Sequence, residues 1–465
     1  MRLPTPTALA VLSLGAILSI TGCSVHGGGG PASVETAPPA KPTATRDATF
    51  PLAVSANRRY LVDHRKRPFL IVGDSPQAMF VNVSVEQARH FLINRRAASF
   101  NTVWVNLLSD DYTGGRPDGT TYDGIPPFRR QGDLATPNEA YFARADEMIR
   151  LAAKNGMAVF LDPIETGGWL KVLHNNGLSK AYAFGRYLGS RYRRFPNIVW
   201  MSGNDFQTWR APSDDALALA VARGIKATDP QHLQTLELDY VDSGSQEDSK
   251  WRGRISLDAA YSYLPTFARI LKEYNRDEHL PVFMVEANYE GEHDYTGPMT
   301  LRRQEYWTLL SGATGQFYGN KYTWQFLDDW QAHLDTIGSR QMTYVTNLFM
   351  RRPWFDLVPD DNHSVVVSGY GSYSPNGTVQ DANYVTAART RDGRLVMAYV
   401  PETQTIGVDM SKLAGRVRAR WYDPTNGRYR TVSGSPFDNA GTHRFSPPGK
   451  NADGDADWVL VLTAA

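Results

Sequence analysis

Eight short apolar runs, most of them ending in a polar residue, are spaced along the chain between residues 69 and 320. Helical patterns separate most of these runs, so strand and helix candidates alternate. Only residues 241–254, in the fifth unit, are polar without a helical period. Eight units over about 300 residues predict an α/β fold of the (β/α)8 TIM barrel type, whose usual size is ~250 residues. An open doubly wound sheet is the alternative. The runs are residues 69–74, 100–107, 157–162, 198–205, 233–239, 255–261, 282–286 and 316–320.

Two of the intervening helices carry start signals. Ser84 and Gln87 fit a capping box, in which the first side chain accepts from the helix and the second reaches back to the cap. Thr136 and Glu139 fit a second box, with Pro137 at the first helical position. We therefore predict helices that begin directly after Ser84 and Thr136.

After about residue 352 the apolar residues alternate with polar ones, which is the pattern of half-buried strands. No convincing long helix interrupts this part of the sequence. The pattern predicts a barrel over residues 50–351 and a small all-β sandwich over residues 352–465. The clearest strand candidates are residues 395–400, 417–421 and 458–462, with a turn at 423–427 (DPTNG) between two of them.

The N-terminus has the pattern of a bacterial export signal. Residues 8–20 are apolar but too short to span a bilayer comfortably. They lead into residues 20–23 (ITGC), which resemble the lipobox of bacterial lipoproteins. The resemblance implies cleavage of residues 1–22 and attachment of lipid to Cys23; an ordinary buried thiol is the alternative. Residues 23–49, rich in Gly, Pro, Ala and Thr, are predicted to be a flexible tether.

Composition excludes several classes of protein. The single cysteine rules out disulfide frameworks and thiolate metal sites. A net charge of +1 without a basic run gives no electrostatic footprint for nucleic acid. The 10 histidines do not cluster at ligand spacing, and neither a phosphate-binding loop nor a Gly-x-Ser-x-Gly motif is present. We therefore predict no metal, no cofactor and no nucleic-acid partner.

The active site of a TIM barrel forms at the carboxyl ends of its strands, so the residues that end the apolar runs are the candidates. Acidic side chains predominate among them. Hydrolysis of a glycosidic bond needs two carboxyl groups, one to protonate the leaving oxygen and one to attack or to activate water. The candidates are Asp74, Asn106, Asp162, Asn204, Asp205, Asp239, Tyr261, Glu286 and Asn320.

Five stretches around these strand ends form a larger pattern: residues 67–75 (RPFLIVGDS), 100–103 (FNTV), 197–205 (NIVWMSGND), 281–291 (PVFMVEANYEG) and 312–324 (GATGQFYGNKYTW). Together they resemble the apiosidase-like hydrolases, glycoside hydrolase family 140. The tail resembles the β domain usually found behind that barrel, which is sometimes labelled collagen-binding. The stretches that carry this second resemblance are residues 421–424 (WYDP) and 457–460 (DWVL).

The resemblance implies a retaining glycosidase with Asp205 as acid/base and Glu286 as nucleophile. The sequence pattern agrees with these roles, because both residues end apolar runs half a barrel apart and such rim positions can bring carboxyls to ~5–5.5 Å. The residues that we expect to contact substrate are Asp74, Asn204, Tyr289, Tyr318 and Trp324.

Other interpretations of these carboxylates remain open. Asp162 also ends a strand and is the main rival for a catalytic role. Asp205 is alternatively a cap for the helix that begins near Pro212, since Asp is a common cap. Glu286 is alternatively the partner of an arginine inside the barrel mouth.

The chain departs from the family pattern in two places. Residues 75–80 (SPQAMF) lack the tryptophan that commonly follows the first-strand aspartate in relatives. Residues 203–206 read Gly-Asn-Asp-Phe, where many relatives have Gly-Gly-Asp followed by an acidic residue. Both departures leave the carboxylate pair in place but put the identity of the sugar in doubt.

We therefore expect an exported glycoside hydrolase that acts at the bacterial cell envelope on a plant or microbial polysaccharide. Its expected partners are that polysaccharide and the membrane, which it contacts through the N-terminal lipid. A cell-surface glycan-binding lipoprotein without catalysis is the second hypothesis. Collagen adhesion is a third, and it rests only on the label given to the β domain.

Overall fold

The computed structural model describes residues 48–207 and 210–464. A small antiparallel sheet of three short strands opens the described part. Its strands are β1 (Ala53–Val54), β2 (Leu61–Val62) and β3 (Pro68–Phe69). The predicted signal segment, Cys23 and nearly all of the predicted tether lie outside the described residues.

Nine strands form one sheet that curls into a nearly closed barrel. Eight of them are parallel, and one short strand runs antiparallel to its neighbour. Each of the eight predicted apolar runs overlaps one parallel strand, so the predicted TIM barrel is confirmed. The strands are β4 (Ile71–Asp74), β5 (Thr102–Asn106), β6 (Ala158–Asp162), β7 (Ile198–Phe206), β8 (Gln234–Leu238), β9 (Asp242–Gly244), β10 (Asp258–Ser262), β11 (Val282–Glu286) and β12 (Gly315–Tyr318).

Between β8 and β10 the barrel has no continuous ladder, and the side chain of Ser245 bridges the two strands. The hydroxyl of Ser245 donates to the carbonyl of Leu236 in β8 (2.5 Å) and accepts from the amide of Ala259 in β10 (2.7 Å). The connection that carries Ser245 consists of β9 and two short 3-10 turns. No α-helix lies within residues 241–254, the stretch whose sequence is polar without a helical period.

Eight α-helices are described, most of them packed around the barrel. No helix in residues 48–207 or 210–464 combines the length and apolar content needed to cross a bilayer. The helices are α1 (Met79–Asn82), α2 (Val85–Ala97), α3 (Glu139–Lys154), α4 (Thr166–Tyr192), α5 (Pro212–Thr228), α6 (Thr266–Tyr274), α7 (Pro298–Leu310) and α8 (Ile337–Met350).

The two predicted helix starts have different outcomes. The capping box before α2 is confirmed, because Ser84 and Gln87 exchange side chain to backbone hydrogen bonds of 3.1 and 2.9 Å. The predicted cap at Thr136 is wrong. Its hydroxyl already bonds within the preceding turn, donating to the carbonyl of Asp133. Asn138 caps α3 instead, so the helix begins later than predicted.

The barrel interior below the rim is a packed aromatic core. Phe160, Phe283 and Phe317 meet edge to face, with ring centroids 5.2–6.0 Å apart. Gly73 makes room for this layer, since a Cβ at that position would lie 2.3 Å from the Phe317 ring. Polar chemistry is therefore confined to the rim above these rings.

The C-terminal part is all-β, as predicted, and forms two antiparallel sheets. A six-stranded sheet has the order β13-β15-β16-β21-β18-β19, and a three-stranded sheet has the order β14-β17-β20. Buried residues such as Val396, Trp421 and Trp458 fill the core that the two sheets share. The strands are β13 (Leu357–Pro359), β14 (Val366–Ser368), β15 (Thr386–Thr390), β16 (Leu395–Val400), β17 (Ile406–Asp409), β18 (Val417–Tyr422), β19 (Tyr429–Thr431), β20 (Thr442–Phe445) and β21 (Trp458–Ala464).

Helix α7 joins the barrel to the β domain through buried polar contacts. The Arg302 guanidinium donates to Asp457 (2.8 and 3.0 Å) and to Asp455 (2.6 Å) of the β domain. Arg303 donates to β-domain carbonyls, and the Trp307 indole donates to the carbonyl of Tyr384 (2.9 Å). Because Arg302 and Asp457 are almost fully buried, neither finds a substitute partner in water.

We expect Arg302→Met to lower the free energy of unfolding by about 3–5 kcal/mol, because it leaves Asp457 charged and buried without its partner. Urea denaturation of the wild type and the variant measures this difference. Arg89→Met is the matched control, since Arg89 forms an exposed ion pair with Glu86 and such pairs contribute at most about 1 kcal/mol. Equal stabilities for the two variants would contradict the expected result.

Candidate active site

The carboxyl ends of the barrel strands bring several of the predicted site residues together. The two predicted catalytic carboxylates, Asp205 and Glu286, lie at the ends of β7 and β11. Neither of them follows the regular strand geometry, and the departures from it decide where their side chains point.

Strand β7 bulges directly before Asp205. Ser202 pairs with Leu236 of β8, and Phe206 is the next residue in register, opposite Leu238. Residues 203–205 therefore oppose a single residue of β8. Bulges of this kind re-aim side chains and are common beside active sites.

The bulge has an unusual backbone that its neighbours hold in place. Gly203, Asn204 and Asp205 all have positive φ, at 126°, 72° and 53°. Asn and Asp accept this region more readily than most residues do. The hydroxyl of Thr166 donates to the Gly203 carbonyl (2.5 Å), and the Asp205 amide donates to a carboxyl oxygen of Glu237 (2.9 Å).

Strand β11 also breaks register at its carboxyl end. Met284 pairs with Ala260 of β10, but Tyr261 pairs with Glu286, which leaves Val285 as an extra residue. Regular alternation would turn Glu286 outward with Met284. The bulge instead turns it toward the barrel mouth, where it meets the hydroxyl of Tyr261.

Three tyrosine hydroxyls surround the Glu286 carboxyl group. Tyr261 and Tyr263 donate to Oε1 at 2.7 and 2.8 Å, and Tyr289 donates to Oε2 at 2.7 Å. The structure therefore gives Glu286 phenolic partners and not the arginine of the alternative interpretation.

Asp205 shares one of these tyrosines. The hydroxyl of Tyr112 donates to Asp205 Oδ2 at 2.5 Å, and the hydroxyl of Tyr261 also lowers the pKa of the Asp205 carboxyl. Tyr261 therefore acts on both carboxyl groups. Asp205 does not cap the helix near Pro212, because α5 has Ala211 at its cap and no side-chain cap there.

Burial raises the pKa of both groups. Burial, and then the charge of Asp205, raise the pKa of Glu286 to about 8 against the opposing effect of the tyrosine hydroxyls. Burial also raises the pKa of Asp205, while Tyr112 and Tyr261 lower it. Two carboxyls this close resist ionising together. The pair is therefore suited to hold one proton and one negative charge, as a general acid beside a nucleophile must.

Glu237 is a third carboxyl at the site that the sequence analysis missed. It faces the barrel interior from β8, is fully buried, and accepts the Asp205 amide through Oε2. Oε1 has no hydrogen-bond partner within the described part of the chain. Burial, and then the charges of Asp205 and Glu286, raise its pKa well above the usual range. Strand alternation was the available signal, since Leu236 and Leu238 on either side face outward.

Asp162, the predicted rival, also faces the interior but lies outside the tyrosine network. Its Oδ1 accepts the amide of Ile164 (3.1 Å), and Oδ2 has no partner among the described residues. Burial raises its pKa well above the usual range. Without a phenolic donor or a bulge to aim it, Asp162 matches the required geometry less well than Asp205.

Two predicted substrate residues, Asp74 and Tyr318, are not brought to the barrel mouth. Each follows an inward-facing position on its strand and therefore points to the outer face. Asp74 is fully buried in an ion pair with Arg95 of α2. The Tyr318 hydroxyl donates to Glu290 (2.5 Å), whose carboxylate also accepts the Gly338 amide at the start of α8. We remove both residues from the candidate site.

Asn204 and Tyr289, by contrast, lie at the site and are joined by Gln77. The Gln77 side chain donates to the Tyr289 hydroxyl (3.0 Å) and accepts from Asn204 at 3.4 Å. Trp324 is half-buried with its ring edge on to Tyr289, at 6.3 Å between centroids. Gln77 lies within residues 75–80, where the sequence departs from the family. That departure was the only signal for it.

The described residues, 48–207 and 210–464, contain no group of three or more His, Cys, Asp or Glu arranged to hold a metal ion.

A TIM barrel with a half-buried and a buried carboxyl, Asp205 and Glu286, at the ends of its fourth and seventh parallel strands has the architecture of a glycoside hydrolase. The family model described as "Apiosidase-like, catalytic domain" matches residues 55–356. The chain therefore belongs to the apiosidase-like family of glycoside hydrolases. A second model, named for a collagen-binding domain of a collagenase, matches residues 374–463 in the β domain.

Solved structures share the fold over most of the chain. A glycoside hydrolase family 5 protein from Bacteroides vulgatus ATCC 8482 is 22% identical, with a TM-score of 0.77 over 89% of this chain and 93% of that chain. Another structure, described as a glycoside hydrolase, is 23% identical, with a TM-score of 0.76 over 89% and 97% of the two chains. No curated protein matches the chain.

We expect Glu237→Gln to stabilise the protein increasingly as pH rises. A carboxyl whose pKa is raised by folding keeps its proton in the native state, so stability falls as pH rises above the unfolded value of about 4.3. Glutamine removes this penalty while an amide oxygen still accepts the Asp205 amide. Thermal unfolding from pH 4 to pH 8 should show little difference at pH 4 and a gain of about 0.5–2 kcal/mol at pH 8.

Glu237→Met is the control for the hydrogen bond. It removes the charge and the acceptor together, so the buried Asp205 amide loses its partner at every pH. That loss costs about 1–3 kcal/mol. A pH-independent difference between Glu237→Gln and the wild type would show that Glu237 is already charged in the native protein.

Proposed function

We propose that the protein is a retaining glycosidase in which Glu286 is the nucleophile and Asp205 the acid/base. The observation that carries this proposal is the placement of the two carboxyl groups around one tyrosine: Tyr261 donates to Glu286 (2.7 Å), and the same hydroxyl lowers the pKa of Asp205. A retaining pair is ~5–5.5 Å apart and an inverting pair ~6.5–9.5 Å. Two carboxyl groups that both interact with one phenol fit the shorter separation, which supports retention.

The hydrogen bonds also favour one division of charge. A tyrosine hydroxyl donates only one proton. If Tyr261 donates its proton to Glu286, it has none for Asp205, which favours the protonated form of Asp205. Three phenolic donors favour the charged form of Glu286. The pair titrates as a unit, and the proposed mechanism requires its negative charge on Glu286 and its proton on Asp205.

The reaction then follows in two steps. Glu286 attacks the anomeric carbon while the Asp205 proton passes to the departing glycosidic oxygen, which leaves as an alcohol. A covalent glycosyl ester of Glu286 remains. Asp205, now ionised, takes a proton from water, whose oxygen attacks the same carbon and releases Glu286 as carboxylate. The sugar keeps its original anomeric configuration.

The family name and the charge of the site guide the choice of substrate. The matched family is named for apiosidase activity, so a terminal apiose residue on a plant or microbial polysaccharide is the first substrate to test. Asp205, Glu237 and Glu286 crowd one site, and none of their hydrogen-bond partners is basic. An uncharged sugar fits such a site better than a uronic acid, which would add a further carboxylate.

Asp205→Asn and Glu286→Gln test the assignment directly. We expect each to reduce kcat on the cleaved glycan by about 10²–10⁴, because each removes one half of the acid/base and nucleophile pair. A panel of polysaccharides, with the released sugars identified, first establishes the substrate. Proton NMR of the newly released sugar then reports its anomer, and inversion would overturn the retaining mechanism.

Asp162→Asn is the matched control, since it neutralises another buried carboxyl at the end of a barrel strand. We expect it to reduce kcat less than Asp205→Asn does. The reverse order would move the acid/base role to Asp162. Glycan binding without product from the wild type would instead favour the glycan-binding lipoprotein.

We further propose that the protein is exported and held to a bacterial membrane by lipid on Cys23. The support is the apolar run at residues 8–20 that ends in the lipobox-like stretch 20–23. We expect Cys23→Ser to move the protein from the membrane fraction to the soluble fraction of its cells. Unchanged fractionation would contradict the lipid anchor, and expression of a form starting at residue 48 provides a soluble reference.

A further inference from the structure

The loop that follows the nucleophile strand is a closed turn with two aromatic rings on its surface. Its backbone bonds join Gly291 to Thr296 and Thr296 to His293, each at 3.0 Å. The rings of His293 and Tyr295 stack 5.2 Å apart, with 20° between their planes. Tyr295 is 52% exposed. The loop therefore presents a flat aromatic surface on a backbone that is already fixed.

The β domain holds this loop in position. The side-chain amide of Gln380 donates to the carbonyl of Tyr295 (3.1 Å) and to the hydroxyl of Thr300 (2.9 Å). Thr300 itself donates to the same Tyr295 carbonyl at 2.6 Å. Both barrel and β domain thus position the aromatic surface.

An open groove of about 560 Å³ lies beside Tyr295. Ligand sites commonly measure ~300–1,000 Å³, so the groove has room for sugar units. Its walls come from the Tyr295 loop, the beginnings of α7 and α8, and the 453–455 turn of the β domain. The groove combines apolar surface with carboxylates. Tyr295 and Ile337, which is 46% exposed, provide the apolar surface, and Asp294, Asp453 and Asp455 provide the carboxylates. A sugar needs this combination, because its ring faces are apolar and its hydroxyls donate hydrogen bonds.

The groove is continuous with the candidate active site along the chain. Tyr289, at the start of this loop, donates to Glu286 at 2.7 Å. Tyr295 follows six residues later, and six residues span at most about 20 Å. A glycan held at Asp205 can therefore reach Tyr295 within a few sugar units.

The charge of the groove selects against acidic glycans. Its cation, Arg302, is already paired with Asp455 and with Asp457. The remaining carboxylates give the groove a negative potential, which repels a polyuronate and leaves acceptors for neutral hydroxyls.

We propose that this groove is a distal sugar-binding subsite for neutral sugar residues of the same glycan that the barrel cleaves, with Tyr295 as its stacking platform. The proposal rests on the glycosidase function proposed above. It gives the β domain a part in substrate binding, because Gln380 and the 453–455 turn complete the subsite.

Tyr295→Ala tests the subsite by comparing long and short substrates. On the cleaved polysaccharide we expect KM to rise about 5- to 20-fold with kcat little changed, because stacking on an aromatic ring contributes about 1–2 kcal/mol. On a small aryl glycoside of the released sugar, which cannot reach the groove, both constants should match the wild type. Tyr295→Phe should restore the polysaccharide KM.

Tyr373→Ala is the matched control. Tyr373 is also 52% exposed but lines a different groove, next to α6. We expect it to leave both substrates unaffected. An unchanged polysaccharide KM in Tyr295→Ala, with the wild type active, would overturn the subsite and leave the glycosidase assignment standing.

Electrophoresis through gels that contain glycan measures binding without hydrolysis. The probes are arabinan, galactan, xylan and glucomannan as neutral chains, and polygalacturonate as the acidic one. We expect a neutral glycan to retard the wild type more than Tyr295→Ala. Retardation by polygalacturonate alone, or equal retardation of the two proteins, would overturn the proposal. If the wild type hydrolyses none of the glycans but is still retarded more than Tyr295→Ala, only the catalytic assignment is contradicted.

Discussion

Carboxyl groups buried together at a barrel mouth cannot all be ionised, and this constraint orders the site. In addition to the effect of burial, the charges of Asp205 and Glu286 raise the pKa of Glu237, and the charge of Asp205 raises the pKa of Glu286. Three phenols stabilise charge on Glu286, whereas Glu237 contacts Asp205 through its backbone amide. Within the described residues, no arginine or lysine is hydrogen-bonded to these three carboxyls. Neutral donors therefore determine which of the groups carries the charge.

The two register breaks are the structural condition for this arrangement. Regular alternation would turn Glu286 to the outer face, and a regular β7 would not place Asp205 where Tyr112 and Tyr261 meet it. Three consecutive residues with positive φ are unfavourable on their own. Contacts from Thr166 and Glu237 on either side of the bulge stabilise them. Both catalytic positions thus depend on local irregularity that the rest of the barrel supports.

Sequence patterns predicted the parts of the structure that depend on local periodicity. The apolar runs located all eight parallel strands, and their polar ends located Asp205 and Glu286. Asp74 and Tyr318 were predicted to contact substrate but point away from the barrel mouth. A position at a strand end does not by itself determine which face of the sheet the side chain lies on. Glu237 was missed for the same reason, although the leucines beside it carried the signal. The bulges, the Ser245 closure and the turn that occupies Thr136 depend on contacts between distant segments, which no short window of sequence contains.

Helix α7 is buried along its whole length from Thr300 to Leu310, since it contacts β12 of the barrel on one side and β15 and β16 of the β domain on the other. A helix in this position belongs to both domains. A barrel cut free at the boundary would turn two arginines and two large aromatic rings toward solvent without their partners. The catalytic barrel therefore depends on the β domain, which covers part of its outer surface. A chimera that replaces either domain must therefore keep the surface that packs against the remaining domain.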